Sequence, residues 1–363
     1  MKKSKLDLIL LFAVIMISLF GVMMIYSSSS IWAEYKFNNP YKYLITQSVF
    51  LVVGTILMII ISKISYTYYL DKANTLLFGC FVLLILVIIP GIGTIRNGSR
   101  SWFGIGGFGI QPSEFMKLAM IVFVSKYLYK NNKDIKNIKK GILPILGVTL
   151  FAFGLIMLQP DFGTGVILVM SIIGLLFISG VNMKFFLILG IFGVIGATLL
   201  IIIAPYRFQR ILSFLNPWLD PLGTGFQAIQ SLFAIGPGGL LGLGLGNSIQ
   251  KHFYLPEPQT DFIFSIISEE LGFLGIIIVS ALFLTIIYRG IKISLNSRDL
   301  FSKYLSFGII FQISFQALLN LMVVVGLIPI TGVTLPFLSY GGSSLLITLC
   351  EMGILLNISR YNK

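Results

Sequence analysis

Apolar residues gather into ten long runs along this chain, at about 8–26, 44–61, 75–89, 113–128, 142–158, 166–181, 185–203, 262–287, 305–327 and 345–358. A membrane-spanning helix needs about 20 mainly apolar residues, or about 17 at the short end. Each run is therefore a candidate span, the third and last being short enough to shift by several residues at either end. The first run is of span length and has no convincing small-residue cleavage site, so no cleavable signal peptide is expected. The polar stretches between runs are unequal. Those on one side are short and lysine-rich, Lys130–Lys140 being the longest. Those on the other, at 90–112, 204–261 and 328–344, are rich in Gly, Pro and aromatics and poor in Lys and Glu. The second set is too apolar to sit in water, and irregular backbone at membrane depth is tolerated only when buried in protein or lining a wet cavity. These stretches are expected to fold back into the outer leaflet and to carry the function.

Composition agrees. The chain is 56% hydrophobic and 11% charged with mean hydropathy +0.96, against about 25% charged in a soluble domain. Its net charge of +13 would suggest nucleic acid in a soluble protein, but basic residues mark cytoplasmic loops in a membrane protein. With the amino terminus inside, 18 of the 26 Lys and Arg fall on inner loops and seven on outer ones, Lys117 lying within a span. Four acids (Asp7, Asp71, Asp134, Asp299) are also inside, leaving 18 − 4 = +14 there. The whole positive excess is topological, and nucleic acid is not an expected partner. Both cysteines, Cys80 and Cys350, lie in apolar runs and build neither a disulfide framework nor a metal site. A single histidine, His252, excludes multi-histidine zinc or di-iron chemistry.

The nine remaining acids are candidates, because ionisable groups at membrane depth are costly. Glu114 and Lys117 stand three apart at the start of the fourth span and share a helical face. They are either a charge-sharing ion pair or the floor of an outward pocket in which Lys117 meets an anionic substrate group. Asp161, in Gln159-Pro160-Asp161-Phe162-Gly163, either caps the following helix or binds a ligand. Asp261 follows Leu255-Pro256-Glu257-Pro258-Gln259-Thr260 and opens the eighth span. An N-cap is one reading; a general base held by stiff backbone beside Phe262 and Phe264 is the other, since apolar neighbours raise a carboxylate's proton affinity. Glu269 and Glu270 face different sides of one helix, and at least one should pair with Lys or Arg as structure. Outer basic residues run against the cytoplasmic bias and ask for an anionic partner: Arg96, Arg100 (followed by Trp102), Arg207, Arg210 and Lys251. Lipid headgroups or a pyrophosphate would both satisfy them, Arg offering forked donors. The glycines from Gly236 to Gly246 lack the preceding strand and the Lys-Ser/Thr ending of a nucleotide loop, and a close-packed or re-entrant segment is expected. Gly190, Gly193 and Gly196 are expected to be small-residue helix packing.

Taken in order, PGIGTIRNGSRSWFGIGGFGIQPSEFMKLAMI, QPDFGTG, NPWLDPLG, GLGNSIQKHFYLPEPQTDFIF and GLIPITGVTLPFLSYGGSS resemble the SEDS family of shape, elongation, division and sporulation proteins. The NPWLDPLG run and the uninterrupted stretch before LPE are nearer its FtsW and SpoVE branch than RodA. The resemblance implies an all-α polytopic membrane protein forming one domain over 1–363. About ten spans with both termini cytoplasmic are expected, with a large re-entrant outer loop, 204–261, between the seventh and eighth carrying much of the active site. It implies a peptidoglycan glycosyltransferase of the cytoplasmic membrane acting on lipid II and undecaprenyl-pyrophosphate-linked glycan. The implied partners are a class B penicillin-binding protein and other division or sporulation proteins. Asp261 matches the family's essential outer-loop aspartate; Glu114, Lys117, Trp102 and Asp161 match positions lining its cavity. The pyrophosphate would be met by some of Arg100, Lys117, Arg207 and Arg210, or by a divalent cation (Mg or Mn). A lipid II flippase, a RodA-type elongation polymerase and a recruiting scaffold are the rival expectations. A flippase should carry broken helices in repeated halves; a scaffold should tolerate loss of Asp261.

Overall fold

The computed structural model describes residues 6–362 except 97, 106, 107, 136 and 204. Each of the ten apolar runs coincides with a helix: α1 (Leu8–Phe37), α2 (Lys42–Ile61), α3 (Thr67–Ile88), α4 (Pro112–Lys130), α5 (Leu143–Met157), α6 (Phe162–Ile178), α7 (Met183–Ile203), α10 (Ile263–Leu295), α11 (Leu300–Val324) and α12 (Gly342–Ser359). Eight of them, α5 taken with the helical turn that precedes it, are long and apolar enough to cross a membrane. Of the other two, α6 has 17 residues, and α4 carries Glu114, Lys117, Lys126 and Lys130. Two shorter helices, α8 (Pro205–Leu215) and α9 (Phe226–Ile235), lie in the long connection after α7. The all-helical expectation holds apart from one element. Residues in 90–112 form a three-stranded antiparallel sheet, β1 (Thr94–Arg96), β2 (Ser99–Ile105) and β3 (Phe108–Ile110).

The loops separate into two ends. At one, Arg289 clasps Asp7 at 2.6 Å, the Tyr66 hydroxyl donates to Asp299 at 2.6 Å, and Asn357 bridges the α2–α3 turn. At the other, Gln47 Nε2 donates to the Ser339 carbonyl at 3.3 Å, the Tyr340 amide donates to the Gln259 carbonyl at 2.8 Å, and Ser99 bonds the Gln159 carbonyl. The second end carries the three glycine- and aromatic-rich stretches and is the outer end of the charge-based reading. Aromatic side chains gather there, Trp32 and Tyr35 of α1 meeting Phe253 at 5.6 and 5.4 Å between ring centroids, as expected of an interfacial belt.

The helices α11 and α12 form the middle of the bundle. More than four-fifths of α12 is buried, and α11 touches α4, α6, α10 and α12. By contrast α7 has no buried residue, and its glycines Gly190, Gly193 and Gly196 face no neighbour among the described residues. This corrects the expectation of small-residue packing among the described residues: the α7 glycines are open, while Phe185 and Phe186 at its start pack against the core.

One break organises the outer half. Gly272, at φ 59° and ψ −152°, interrupts α10. Such a break frees carbonyls before it and amides after it, and each unsatisfied group in hydrocarbon costs several kcal/mol. The glycine-rich segment supplies the partners. Leu243 and Gly244 amides donate to the Glu269 and Glu270 carbonyls at 2.9 and 3.0 Å, while Phe273 and Leu274 amides donate to the Gly239 and Leu240 carbonyls at 2.9 and 3.1 Å. Backbone can approach backbone this closely only where side chains are missing: a Cβ on Gly238 or Gly242 would run into the Ser268 or Glu270 carbonyl. The re-entrant reading of the glycines therefore holds, and its physical cause is the fracture in α10.

Candidate active site

The approach to Asp261 is a tight turn. Glu257 sits at φ 42°, and the Thr260 amide and hydroxyl both donate to its carbonyl, at 3.1 and 2.8 Å. Thr260 Oγ1 also stands 2.6 Å from Asp261 Oδ1. A hydroxyl has one proton and two lone pairs, so it serves both states of the acid. It donates to the ionised carboxylate, or accepts from the protonated one while donating to Glu257. The cap position of α10 belongs to Phe262, with no side-chain bond, so Asp261 is not spent on capping. It is half-buried. Desolvation raises its pKa above the ordinary carboxylate range, Glu257 pushes the same way, and the Thr260 hydrogen bond and Arg210 act against them. Arg210 of α8 donates Nη1 to the Ile330 carbonyl at 3.1 Å.

Asp161 is a cap. Its Oδ1 accepts the Thr164 amide at 3.2 Å at the start of α6, and its Oδ2 accepts Gln111 Nε2 at 2.7 Å. Burial raises its pKa, Glu114 adds to the rise, and Lys117 opposes it. Asp161, Glu114 and Lys117 thus form a second charged group. Glu114 and Lys117 are paired at 3.1 Å and nearly fully buried. Lys117 gives another proton to Gln316 Oε1 of α11 at 2.8 Å, which leaves one N–H of its three. Below it Glu351 of α12 is buried and accepts from Gln312 Nε2 at 2.9 Å.

Arg100 and Trp102 alternate along β2 and share one face of the strand. Ser99 and Ser101 share the opposite face, joined at 2.9 Å, with Ser99 bonded to the Gln159 turn. The sheet is thereby fastened by its serines and leaves Arg100 and Trp102 half-buried. The side chain of Arg207 and that of Arg96 lie outside the described residues.

Lys251 has a different place from the one the sequence suggested. It is 5% exposed, 3.1 Å from Glu270 Oε1 and 2.5 Å from the Gly246 carbonyl. Ser27 of α1 and the Ser248 amide donate to Glu270 as well, and the Ser248 hydroxyl and Ile249 amide to Glu269. The network ties the outer loop to α1 and α10. Its lysine, like Lys117, gives two of its three N–H groups to protein, here to Glu270 and the Gly246 carbonyl. The expected pairing of one of the two glutamates is found at Glu270. Sequence reasoning missed Gln316 and Asn320, whose signal was amide side chains one turn apart in an apolar span.

Among the described residues no group of three His, Cys, Asp or Glu side chains converges. Glu257 acts on Asp261 electrostatically, raising its proton affinity. An apolar hollow of about 360 Å³ is bordered by Ile235, Phe264, Leu318 and Met322.

A helical bundle with a half-buried carboxylate at one lip and a buried Glu–Lys pair beneath defines a polytopic membrane protein with an ionisable site toward one face. The chain belongs to the cell cycle protein family of FtsW, RodA and SpoVE, whose model matches residues 7–363. It is 50% identical over 362 residues to stage V sporulation protein E of Bacillus subtilis, covering 100% of this chain and 99% of that one. It is 40% identical over 357 residues to a probable peptidoglycan glycosyltransferase FtsW of Geobacter metallireducens, covering 98% and 95%. Among solved structures, a chain of a peptidoglycan synthase complex that coordinates polymerization and crosslinking matches with TM-score 0.80 and 32% identity over 99% of both chains. The rod shape determining protein RodA of Thermus thermophilus matches with TM-score 0.73 and 28% identity, again over 99% of both.

Proposed function

We propose that this protein polymerises lipid II at the outer face of the cytoplasmic membrane with Asp261 as general base. It is a peptidoglycan glycosyltransferase of division or sporulation. In the reaction Asp261 takes the proton of the acceptor sugar's 4-hydroxyl as that oxygen attacks the anomeric carbon of the chain linked to undecaprenyl pyrophosphate. The bond to pyrophosphate breaks, with inversion. One base suffices, because pyrophosphate leaves without protonation by an acid. Some of Lys117 (with its remaining N–H), Arg100, Arg207 and Arg210 meet the developing charge. A divalent cation bridged to a carboxylate would supply further charge neutralisation there. Trp102 offers a ring face to sugar or lipid, and the apolar hollow beside Phe264 suits an isoprenoid tail. A class B penicillin-binding protein is the partner for crosslinking, with further division or sporulation proteins around it.

The observation that carries the reading is Asp261 itself: free of capping duty, half-buried, and made more basic by burial. A transporter would show breaks in repeated halves. Among the described residues the one helix interrupted by non-helical backbone is α10, and the freed groups named above bind protein backbone rather than facing a passage. The test is purified protein with labelled lipid II. Native protein should give a ladder of glycan products, and Asp261→Ala, with an unchanged melting temperature in detergent, should give none. Normal polymer from Asp261→Ala removes the assignment; labelled lipid crossing a bilayer without polymer replaces it with transport.

A further inference from the structure

The helix α11 carries amide side chains at Gln312, Gln316 and Asn320, each buried. Spaced four apart, they lie on one face of the helix, about 6 Å above one another. The upper two do more than satisfy themselves. Asn320 Nδ2 donates to the Asp261 carbonyl and to the Val333 carbonyl, both at 2.7 Å. Gln316 Oε1 accepts from Lys117 at 2.8 Å while its Nε2 donates to the Thr334 carbonyl at 3.0 Å. Consecutive residues of one irregular outer segment are thus bonded to consecutive rungs of α11, and each rung also holds one charged member of the site.

A rung that served only to satisfy buried irregular backbone would need a bond to Val333 or Thr334 and nothing else. Here each amide divides its bonds between that segment and a charged residue from a different element, Asp261 before α10 and Lys117 on α4. Because Asn320 grips the peptide carbonyl of Asp261, it sets the plane from which the carboxylate projects. Gln316, gripping the ammonium, sets where the cation stands below.

We propose that Asn320 and Gln316 are positioning residues that fix the direction of Asp261 and its separation from Lys117, with the Val333–Thr334 segment as the common brace. The inference rests on the reading of Asp261 as the general base. Neither amide touches a reacting atom; both act through the residue they hold. Removing Asn320 leaves two carbonyls without their donor and lets the Asp261 peptide turn. A misplacement near 1 Å can cost about 100-fold in rate, and the loss falls on the chemical step while the groups that bind lipid remain.

The experiment is steady-state polymerisation of labelled lipid II by purified Asn320→Ala, Asn320→Ser and Gln316→Ala proteins, with detergent melting curves and Asp261→Ala alongside. Asn320→Ala should lower kcat about 100-fold with KM within about twofold of native. Asn320→Ser, which keeps one donor, should lose less. Gln316→Ala should lower kcat and raise KM together, since Lys117 itself meets substrate. Native kcat in a folded Asn320→Ala protein overturns the proposal, as does a loss carried wholly by KM. Should the alanine variant fail to fold, a folded Asn320→Ser protein with native kcat overturns it equally. An inactive Asp261→Ala beside fully active Asn320 variants sinks only the positioning role, whereas an active Asp261→Ala sinks the base.

Discussion

Replacing Thr260 with valine keeps the shape of the turn and removes one hydroxyl, and the effect on Asp261 has a definite sign. In the ionised state that hydroxyl makes a charge-assisted bond to Oδ1 from 2.6 Å. In the protonated state it makes only neutral bonds. Bonds to charged groups contribute about 1.5–3 kcal/mol and neutral ones about 1 kcal/mol, so the ionised form loses about 1 kcal/mol more than the protonated form. At 1.36 kcal/mol per pH unit this is about 0.7 unit, and the pKa moves up, because the bond had opposed the rise caused by burial. A general base works when ionised. The acid limb of kcat/KM, read from initial rates of lipid II polymerisation, should therefore shift to higher pH in Thr260→Val. Glu257→Gln removes a charge that raises the same pKa, so its limb should shift to lower pH. The opposed signs are the content of the prediction. Two limbs that stay with the native one, or that move in the same direction, would refute the assignment of this titration to Asp261.

The structure also makes predictions away from the chemistry. Lys251→Ala strands Glu270 without its cation, and breaking a buried pair typically costs about 3–5 kcal/mol, so the protein should melt lower or fail to accumulate. The double variant Lys251→Met/Glu270→Gln should recover most of that stability and keep polymerase activity; a well-folded but inactive double variant would return Lys251 to the substrate. Gly272→Ala forces a side chain into backbone geometry open essentially to glycine, at about 1–3 kcal/mol, with a similar cost of about 1–3 kcal/mol for overpacking against Gly238 and Gly242. Its melting temperature in detergent should fall, and an unchanged value would show that the break in α10 is not held by this contact.

How far the sequence foretells this molecule depends on where the controlling information lies. Spans are local: a run of apolar residues must find either lipid or other helices, so 183–203 reads as a helix whether it packs among other helices, as α11 does, or has no fully buried residue, as in α7. For the same reason the hydropathy of α7 could not reveal that its glycines face no neighbour among the described residues. The small sheet escaped because its strands alternate Ser with Arg and Trp rather than polar with apolar, and neither face looks like a core. Charged candidates were legible from position alone, since a carboxylate or lysine at membrane depth must be paired or used; which of the two applied was not. Glu114 and Lys117 stand within one turn, and their pairing follows from helical geometry. Lys251 and Glu270 are nineteen residues apart, joined only because α10 breaks at Gly272 and pulls the glycine-rich segment against itself. That one tertiary event gives Lys251 its structural partner. Asp161 and Asp261 show the same division at closer range. Both precede a helix after proline-containing turns, yet Asp161 meets the Thr164 amide and caps, while Asp261 sits one residue before the capping position and keeps its carboxylate for Thr260 and whatever enters beside it. A shift of one residue in where a helix begins separates a capping aspartate from one left free of the cap, and that boundary coincides with the Glu257 turn and with the grip of Asn320 on the Asp261 carbonyl.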